Sequence, residues 1–280
     1  MELFTDLKPT EQELRQLRNL IYERSGIVLN EKKRALIVGR LQRDIRARGF
    51  SSFREYYQSI LSDSSGRMLS ELIDRISTNH TYFWRESGHF EYLQNVVLPE
   101  VTARLMRQNS NDLRLWCAAA STGEEPYTIL MMIKEYLGPS ASHWYHDILA
   151  TDISSHALEK ARKGIYSKKS IEKLPPHLRK YFKPIDPKRV QVREDLRKGV
   201  LYRRLNLIDE AFPFKGKFQI IFCRNVMIYF DQQTRLDLLK KFYNVMEPDG
   251  YLFIGITESL GRNNPYFQYV RPSVYKRISR

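Results

Sequence analysis

Four stretches of this 280-residue chain carry residues that could do chemistry. Ser121-Thr122-Gly123-Glu124-Glu125-Pro126 follows the apolar run 113–120 (LRLWCAAA). Its small side chains and Gly123 let backbone approach a ligand closely, and the two acids add negative charge. It is neither a Gly-x-Gly-x-x-Gly fingerprint nor a phosphate loop with its Lys, and paired carboxylates would repel a pyrophosphate. They suit a ligand bearing hydroxyl, amino or cationic groups. Asp152 follows the next apolar run, 27 residues beyond Glu125. An acid at that place in a βαβ unit accepts hydrogen bonds from both hydroxyls of a ribose; it would also serve as the N-cap of the next helix. Adenosine without phosphates, beside a positive centre, describes S-adenosylmethionine. Arg224 and Asn225 stand at the tip of the apolar run 218–223 (FQIIFC), with Tyr229 one turn on. They lie where a ligand or substrate would, although Arg224 equally suits a structural ion pair and tyrosine in an apolar segment is commonly core. The fourth stretch is 77–86 (STNHTYFWRE), where Asn79, Thr81 and Arg85 alternate with Tyr82, Phe83 and Trp84. That mixture fits a lid or interdomain segment that offers polar groups to a ligand and packs rings behind them. The plainer alternative is a linker with an aromatic knot.

Those loops need a frame that brings them together. From about residue 112, strands 113–120, 146–151, 218–223 and 251–256 alternate with helices 127–137, 155–163 and 232–246. Near-continuous apolar strands separated by helices predict a parallel sheet covered on both faces, a doubly wound Rossmann-like α/β fold. In such a sheet the ligand lies beyond the carboxyl ends of the strands, where all these loops fall. The basic stretch 160–204 interrupts the pattern, and 189–192 and 200–204 are expected to form a small accessory sheet. The first 85 or so residues have the grammar of short helices instead. Leu14, Leu17, Leu20 and Ile21 share one face, with Gly26 as a stop. A second helix is expected from an N-cap at Asn30 through Leu36, Ile37, Leu41 and Ile45 to Gly49. Ser52 would cap a third, and a fourth spans 67–76. The expected division is an all-helical domain at 1–85 and an α/β domain at 86–280, with a β-subdomain inserted at about 164–204.

Composition bounds the class of protein. An apolar fraction of 42% with 13 Gly and 12 Pro excludes disordered, collagenous and low-complexity chains. With 46 Lys+Arg against 32 Asp+Glu the net charge is +14, which points to nucleic acid, an anionic surface or an acidic protein as partner. Residues 160–204 hold 16 basic and 4 acidic side chains and supply nearly all of it. A second basic run lies between Lys32 and Arg54, where Asp44 is the one acid. Cys117 and Cys223 cannot make a disulfide framework, no apolar stretch reaches the ~18 residues of a membrane span, and the start has no signal-peptide order. A soluble, cytoplasmic monomer is therefore expected. The six histidines offer only His143-x-x-His146 as a spacing, without acidic or thiol partners, so no metal site is expected.

The motifs Asn-x-Thr-x-Phe-x-Arg-Glu at 79–86, WCAAASTGEEPY at 116–127, Ala-Thr-Asp at 150–152, EKARxGIY at 159–166, FCRNVMIYFD at 222–231 and PDGYLF at 248–253, with Glu258-Ser259 beyond, resemble the CheR family of chemotaxis receptor methyltransferases. The resemblance runs through the whole chain in order. It implies a protein-glutamate O-methyltransferase that forms methyl esters on the cytoplasmic helical bundle of chemoreceptors and releases S-adenosylhomocysteine. It further implies that Asn79, Thr81 and Arg85 hold the methionine part of the cofactor, Glu125 its amino end and Asp152 its ribose. Asn206 and Leu207 would flank the adenine, Arg224 and Asn225 would line the methionine end, and Tyr229 would stand beside the methyl donor. His80 and Trp84 fall at positions of the first motif that vary.

The chemistry agrees with that resemblance. A glutamate carboxylate, with a reference pKa of ~4.3, is already ionised at pH 7 and needs no general base. Aligning oxygen, methyl carbon and sulfur can contribute ~7 to 11 kcal/mol. Arg85 can orient the carboxylate by its planar fork and Tyr229 can face the sulfonium, and these two are the catalytic candidates. Arg40, Arg43 and Arg46 on the basic second helix are candidates for docking a Glu-rich receptor bundle. Some relatives grip a C-terminal receptor peptide with a longer, Gly-rich loop in the β-subdomain; residues 183–189 (KPIDPKR) are short and lack glycine, so a pentapeptide tether is not expected. The rival is a nucleic-acid methyltransferase using the basic surface, yet its usual Asp/Asn-Pro-Pro-Tyr/Phe tip is replaced here by Arg-Asn-Val-Met. A catalytically idle cofactor-binding module is the third possibility.

Overall fold

Caps and glycines set the helix ends at the N-terminus of the computed structural model, which describes residues 7–29, 34–77, 79–261 and 264–279. Helix α1 (Glu11–Ser25) starts at a capping box in which Thr10 and Glu13 exchange hydrogen bonds, and stops at Gly26, whose φ of 69° is left-handed. Helix α2 (Arg34–Ala47) follows; its expected N-cap at Asn30 lies outside the described residues. Ser52 caps α3 (Phe53–Ser62), and α4 is Arg67–Ile76. Leu17, Leu20, Ile21, Leu41, Ile45, Phe53, Tyr56, Leu72 and Ile73 bury together between these helices, each worth roughly 1.5–3 kcal/mol for the largest aliphatic side chains. Asp44 is buried on this core, held by Arg48, Arg75 and the Tyr56 hydroxyl.

Beyond a loop, α5 (Gly88–Tyr92) runs through a π turn into α6 (Leu98–Arg107). The α/β part then gives β1 (Leu115–Ala118), α7 (Glu124–Leu137), β2 (Ile148–Asp152), α8 (Ser155–Lys163), β3 (Ile165–Ser167), β4 (Phe182–Pro184), β5 (Arg189–Val192), α9 (Glu194–Lys198), β6 (Val200–Arg204), β7 (Phe218–Cys223), α10 (Gln232–Val245), β8 (Met246–Ile254), β9 (Phe267–Arg271) and β10 (Val274–Arg277). Seven strands form one sheet in the order β6-β2-β1-β7-β8-β10-β9. The first five are mutually parallel, and β10 runs antiparallel to both its neighbours. One face carries α7, α8 and α6 over Leu115, Cys117, Ile220 and Phe222. The other packs Trp116 against Phe212, Phe214, Phe218 and Phe242.

The expectation for the insert needs one correction. Residues 200–204 do not pair with 189–192: β6 is the edge strand of the main sheet, parallel to β2 with Ile148 opposite Val200. The accessory sheet is β3-β5-β4, all antiparallel. Val200 and Tyr202 face inward and Leu201, Arg203 and Arg204 outward, so this strand has the alternation of a half-buried edge, and its basic residues made it look like part of the insert. The β9–β10 hairpin was not anticipated either; its outer strand is mostly exposed and lacks an apolar run.

Candidate active site

Strand order reverses between β1 and β7, and the loops after β1, β2 and β7 meet there. The loop after β1 folds tightly: Ala119 and Ser121 have positive φ, and Gly123 sits at φ 94°. A Cβ on Gly123 would lie 2.8 Å from Ala161 Cβ and 2.9 Å from the hydroxyls of Tyr166 and Tyr202, so the glycine is required by space as well as by conformation. Glu124 turns inward and accepts the Thr122 hydroxyl at 2.6 Å; burial raises its pKa, and that hydrogen bond offsets part of the rise. Glu125 faces the cleft instead.

Asp152 ends β2. Its Oδ2 accepts the Ser121 N–H at 2.7 Å and its Oδ1 the Ser154 N–H at 2.9 Å, which ties the first two loops together. The helix N-cap is Ser154, not Asp152. Burial pushes the Asp152 carboxyl up despite those two N–H groups. Each oxygen retains acceptor capacity, and a pair of donors would complete the site.

The third loop is held by charge. The Arg224 guanidinium, 1% exposed, donates to Glu125 at 2.7 Å, to Glu86 at 2.9 Å and to the Arg85 carbonyl at 2.5 Å. The ion-pair alternative for Arg224 is thus what the geometry contains, and this residue ties the 77–86 segment to the loops after β1 and β7. Burial opposes ionisation of Glu86, but the Arg224 charge and hydrogen bonds from Arg224 and Asn225 outweigh it and hold the pKa below the usual carboxylate range. Glu125 also accepts the Cys117 thiol at 3.1 Å, and burial raises that thiol so that it stays protonated.

Arg85 is partly exposed, donates to the His80 carbonyl at 2.8 Å and lies 5.9 Å from the Tyr82 ring centre. Phe83 is fully buried and Trp84 stacks on Phe90, so these two rings pack behind the polar residues of the segment, whereas Tyr82 is exposed. Asn206 donates to the Arg24 carbonyl at 2.8 Å, and Val28 N–H donates to the Tyr229 carbonyl at 2.8 Å. Helix α1 and its following turn are thus bonded to the α/β domain.

Asn79, Thr81, Arg85, Glu125, Asp152, Asn206, Leu207, Arg224, Asn225 and Tyr229 all line one cleft. Arg40, Arg43 and Arg46 lie apart from it on α2. Sequence reasoning missed that the helical domain walls the cleft through Ser25, Ile27, Ile76 and Ser77, and that Glu86 and Glu258 hold its loops from behind. Glu86 and Glu258 were visible as parts of motifs, but nothing local marked their partners. Of eight non-glycine residues with positive φ among the described residues, Ala119, Ser121 and Asn225 line the cleft and Trp84 and Glu86 flank Arg85. Such strain gathers where a site is pre-organised.

The donor set fits S-adenosylmethionine. Ile27, Ile153, Leu205, Leu207 and Phe230 give the cleft apolar walls suited to an adenine, Asp152 has acceptors for two ribose hydroxyls, and Asn79, Thr81 and Glu125 offer further polar groups. No group of three or more metal-ligating side chains occurs among the described residues, and no helix there is long and apolar enough to cross a membrane.

A parallel-centred sheet with this cleft at its switch point defines the class, an S-adenosylmethionine-dependent methyltransferase carrying an all-helical N-terminal domain. Residues 79–276 match the model of the CheR methyltransferase SAM-binding domain, and residues 12–77 that of the CheR methyltransferase all-alpha domain. The chain belongs to the CheR methyltransferase family. It is 45% identical to the chemotaxis protein methyltransferase of Borreliella burgdorferi over 96% of this chain and 95% of that one. It is 37% identical to the Escherichia coli chemotaxis protein methyltransferase, over 98% and 94%, and 36% identical to a probable one from Rhizobium etli, over 92% and 96%.

Proposed function

We propose that this enzyme transfers the methyl group of S-adenosylmethionine to glutamate carboxylates of methyl-accepting chemoreceptors, producing glutamate methyl esters and S-adenosylhomocysteine. The observation that carries this reading is the convergence of Asp152, Glu125 and the 79–85 segment on one cleft between the helical domain and the sheet. The cofactor supplies an electrophilic methyl group on a sulfonium centre. The chain supplies placement: Asp152 takes the ribose hydroxyls, Leu207 and Asn206 flank the adenine, and Asn79, Thr81, Glu125 and Asn225 take the amino-acid end. Arg224, paired through its two terminal nitrogens with Glu86 and Glu125, acts by fixing Glu125 and the backbone at Arg85. Arg85 and Tyr229 stand where the incoming carboxylate and the methyl group would meet. The carboxylate is ionised before it arrives, so no proton has to be moved.

Arg40, Arg43 and Arg46 on α2 are proposed to meet the Glu-rich receptor bundle. Arg43 and Arg46 are exposed, whereas Arg40 also donates to the carbonyls of Arg75 and Ile76 at the end of α4. A nucleic-acid substrate is not favoured, since the family match covers both domains and the tip after β7 is Arg-Asn-Val-Met.

Incubation with tritiated methyl donor and receptor membranes tests the reaction. Base-labile release of labelled methanol is the expected result, and label in RNA, or none in receptor, overturns it. Arg85→Ala and Tyr229→Phe are expected to lower turnover tenfold or more; wild-type rates in both would remove these residues from the catalytic roles.

A further inference from the structure

The turn after β7 opens on a left-handed residue. Asn225 has φ 58°, a conformation that most residues with a Cβ avoid and asparagine tolerates better than the others. The residues after it wind into a short 3-10 turn, Met227–Tyr229, whose leading N–H groups have no acceptor within the turn. Strained backbone of this kind persists only where its surroundings over-determine it. Two carboxylates remote in sequence do so. Glu86 Oε1 accepts the Asn225 side-chain amide at 3.1 Å and so holds the side chain. Glu258 holds the backbone: Oε2 accepts the N–H of Asn225 at 2.9 Å and of Gly255 at 2.6 Å, and Oε1 accepts the N–H of Ile228 at 3.2 Å. The approach requires glycine at 255, where a Cβ would lie 2.4 Å from Asn225 Nδ2 and 2.9 Å from Glu258 Oε2. Glu258 itself does not line the cleft, whereas the turn it gathers presents Asn225 and Tyr229 to it.

We propose that Glu258 is a positioning residue for methyl transfer, collecting the N–H groups of this turn and thereby fixing Asn225 and Tyr229 against the methionine end of the cofactor while touching neither cofactor nor substrate. This role rests on the cleft being the S-adenosylmethionine site. Glutamine at 258 keeps the size but turns one acceptor into an N–H₂ that opposes the turn's own donors. Aspartate keeps the charge but draws the carboxylate back by one methylene, beyond reach of both sets of N–H groups.

The experiment uses the full chain with Glu258→Gln, Glu258→Asp, Asn225→Ala and the double variant Asn225→Ala/Glu258→Gln. Receptor methylation kinetics, S-adenosylhomocysteine affinity by calorimetry and thermal unfolding midpoints are read for each. Both Glu258 variants are expected to be folded at the assay temperature and to lose kcat tenfold or more, with the receptor KM within twofold of wild type. The double variant is expected to be scarcely worse than Glu258→Gln alone, because what Glu258 positions is already gone. Wild-type kcat in both Glu258 variants while Asn225→Ala is impaired overturns the proposal alone. So does a double-variant loss equal to the product of the single losses, or a loss that follows only the unfolded fraction. Wild-type affinity and turnover in Asn225→Ala would instead defeat the cofactor reading of the cleft, and this role with it.

Discussion

At the scale of single residues, the cleft depends on buried groups kept in one charge state by their neighbours. His89 shows this most sharply. It is 5% exposed, and burial, with the Arg224 charge adding to it and Glu86 opposing, pushes its pKa down to about 4. The imidazole beside Glu86, at 3.5 Å, is therefore neutral near pH 7 and the contact is not an ion pair. Between about pH 6.5 and 4 the unfolded chain binds a proton at this site that the folded chain refuses, so stability falls on acidification across that window. Buried carboxyls with raised pKa, such as Asp152 and Glu258, act in the opposite sense, which is why the comparison has to be made with a variant. In His89→Gln the loss of unfolding free energy between pH 7 and pH 5 is expected to be about 2 kcal/mol smaller than in the wild type. Urea denaturation at the two pH values measures it, and equal losses in both proteins would sink the idea. Residues such as Asp152 were legible in the sequence because a strand end in a βαβ unit fixes where its next side chain goes. Glu86 and His89 were not, because their states are set by burial in the folded chain and by Arg224, more than 130 positions away in the sequence.

At the scale of elements, the helices and central strands were legible because each carries its own periodicity and cap. The edge of the sheet was not: β6 has a strand's alternation but the charge of the insert, and only its pairing with β2 assigns it. The same insert bears on the proposed absence of a receptor-peptide tether. Between β4 and β5, Asp186 accepts the N–H groups of Lys188 and Arg189 at 2.9 and 2.7 Å and pairs with the Arg189 side chain at 2.7 Å. This turn satisfies its own polar groups and has no spare length to wrap a peptide. Calorimetry against a pentapeptide from a receptor C-terminus is expected to give no measurable heat, and a low-micromolar Kd would prove the expectation wrong. On α2, Arg40 is a poor probe of receptor docking because it also caps α4. Arg43→Glu with Arg46→Glu is the cleaner change. It should raise the receptor KM severalfold and weaken the salt dependence of methylation, with S-adenosylhomocysteine affinity unaltered. Unchanged KM at low salt would remove α2 from the docking surface.

At the scale of the whole molecule, the helical domain is part of the wall of the cleft. The two domains meet along a seam in which Tyr22 donates to Asp231 at 2.5 Å, Asn206 to the Arg24 carbonyl and Val28 to the Tyr229 carbonyl. The turn after β7 is therefore held from the sheet by Glu258 and from the helical domain by Val28. Gly26 lies in that seam at φ 69°, and a Cβ there would meet Ile208 Cγ2 at 2.6 Å. Gly66 offers a matched control: its φ is 66°, yet no atom lies within 4 Å of where its Cβ would be. Alanine at either position incurs the left-handed strain, roughly 1 kcal/mol. Only Gly26→Ala also pushes the domains apart at Ile208, and it should do so where Ser25 and Ile27 line the cleft. Both variants are expected to lose a similar few degrees of Tm from backbone strain, with a further loss in Gly26→Ala. S-adenosylhomocysteine affinity is expected to fall tenfold or so in Gly26→Ala and to stay within twofold of wild type in Gly66→Ala. Equal affinities in the two would mean that the seam yields without disturbing the cleft and that the helical domain serves receptor contact alone.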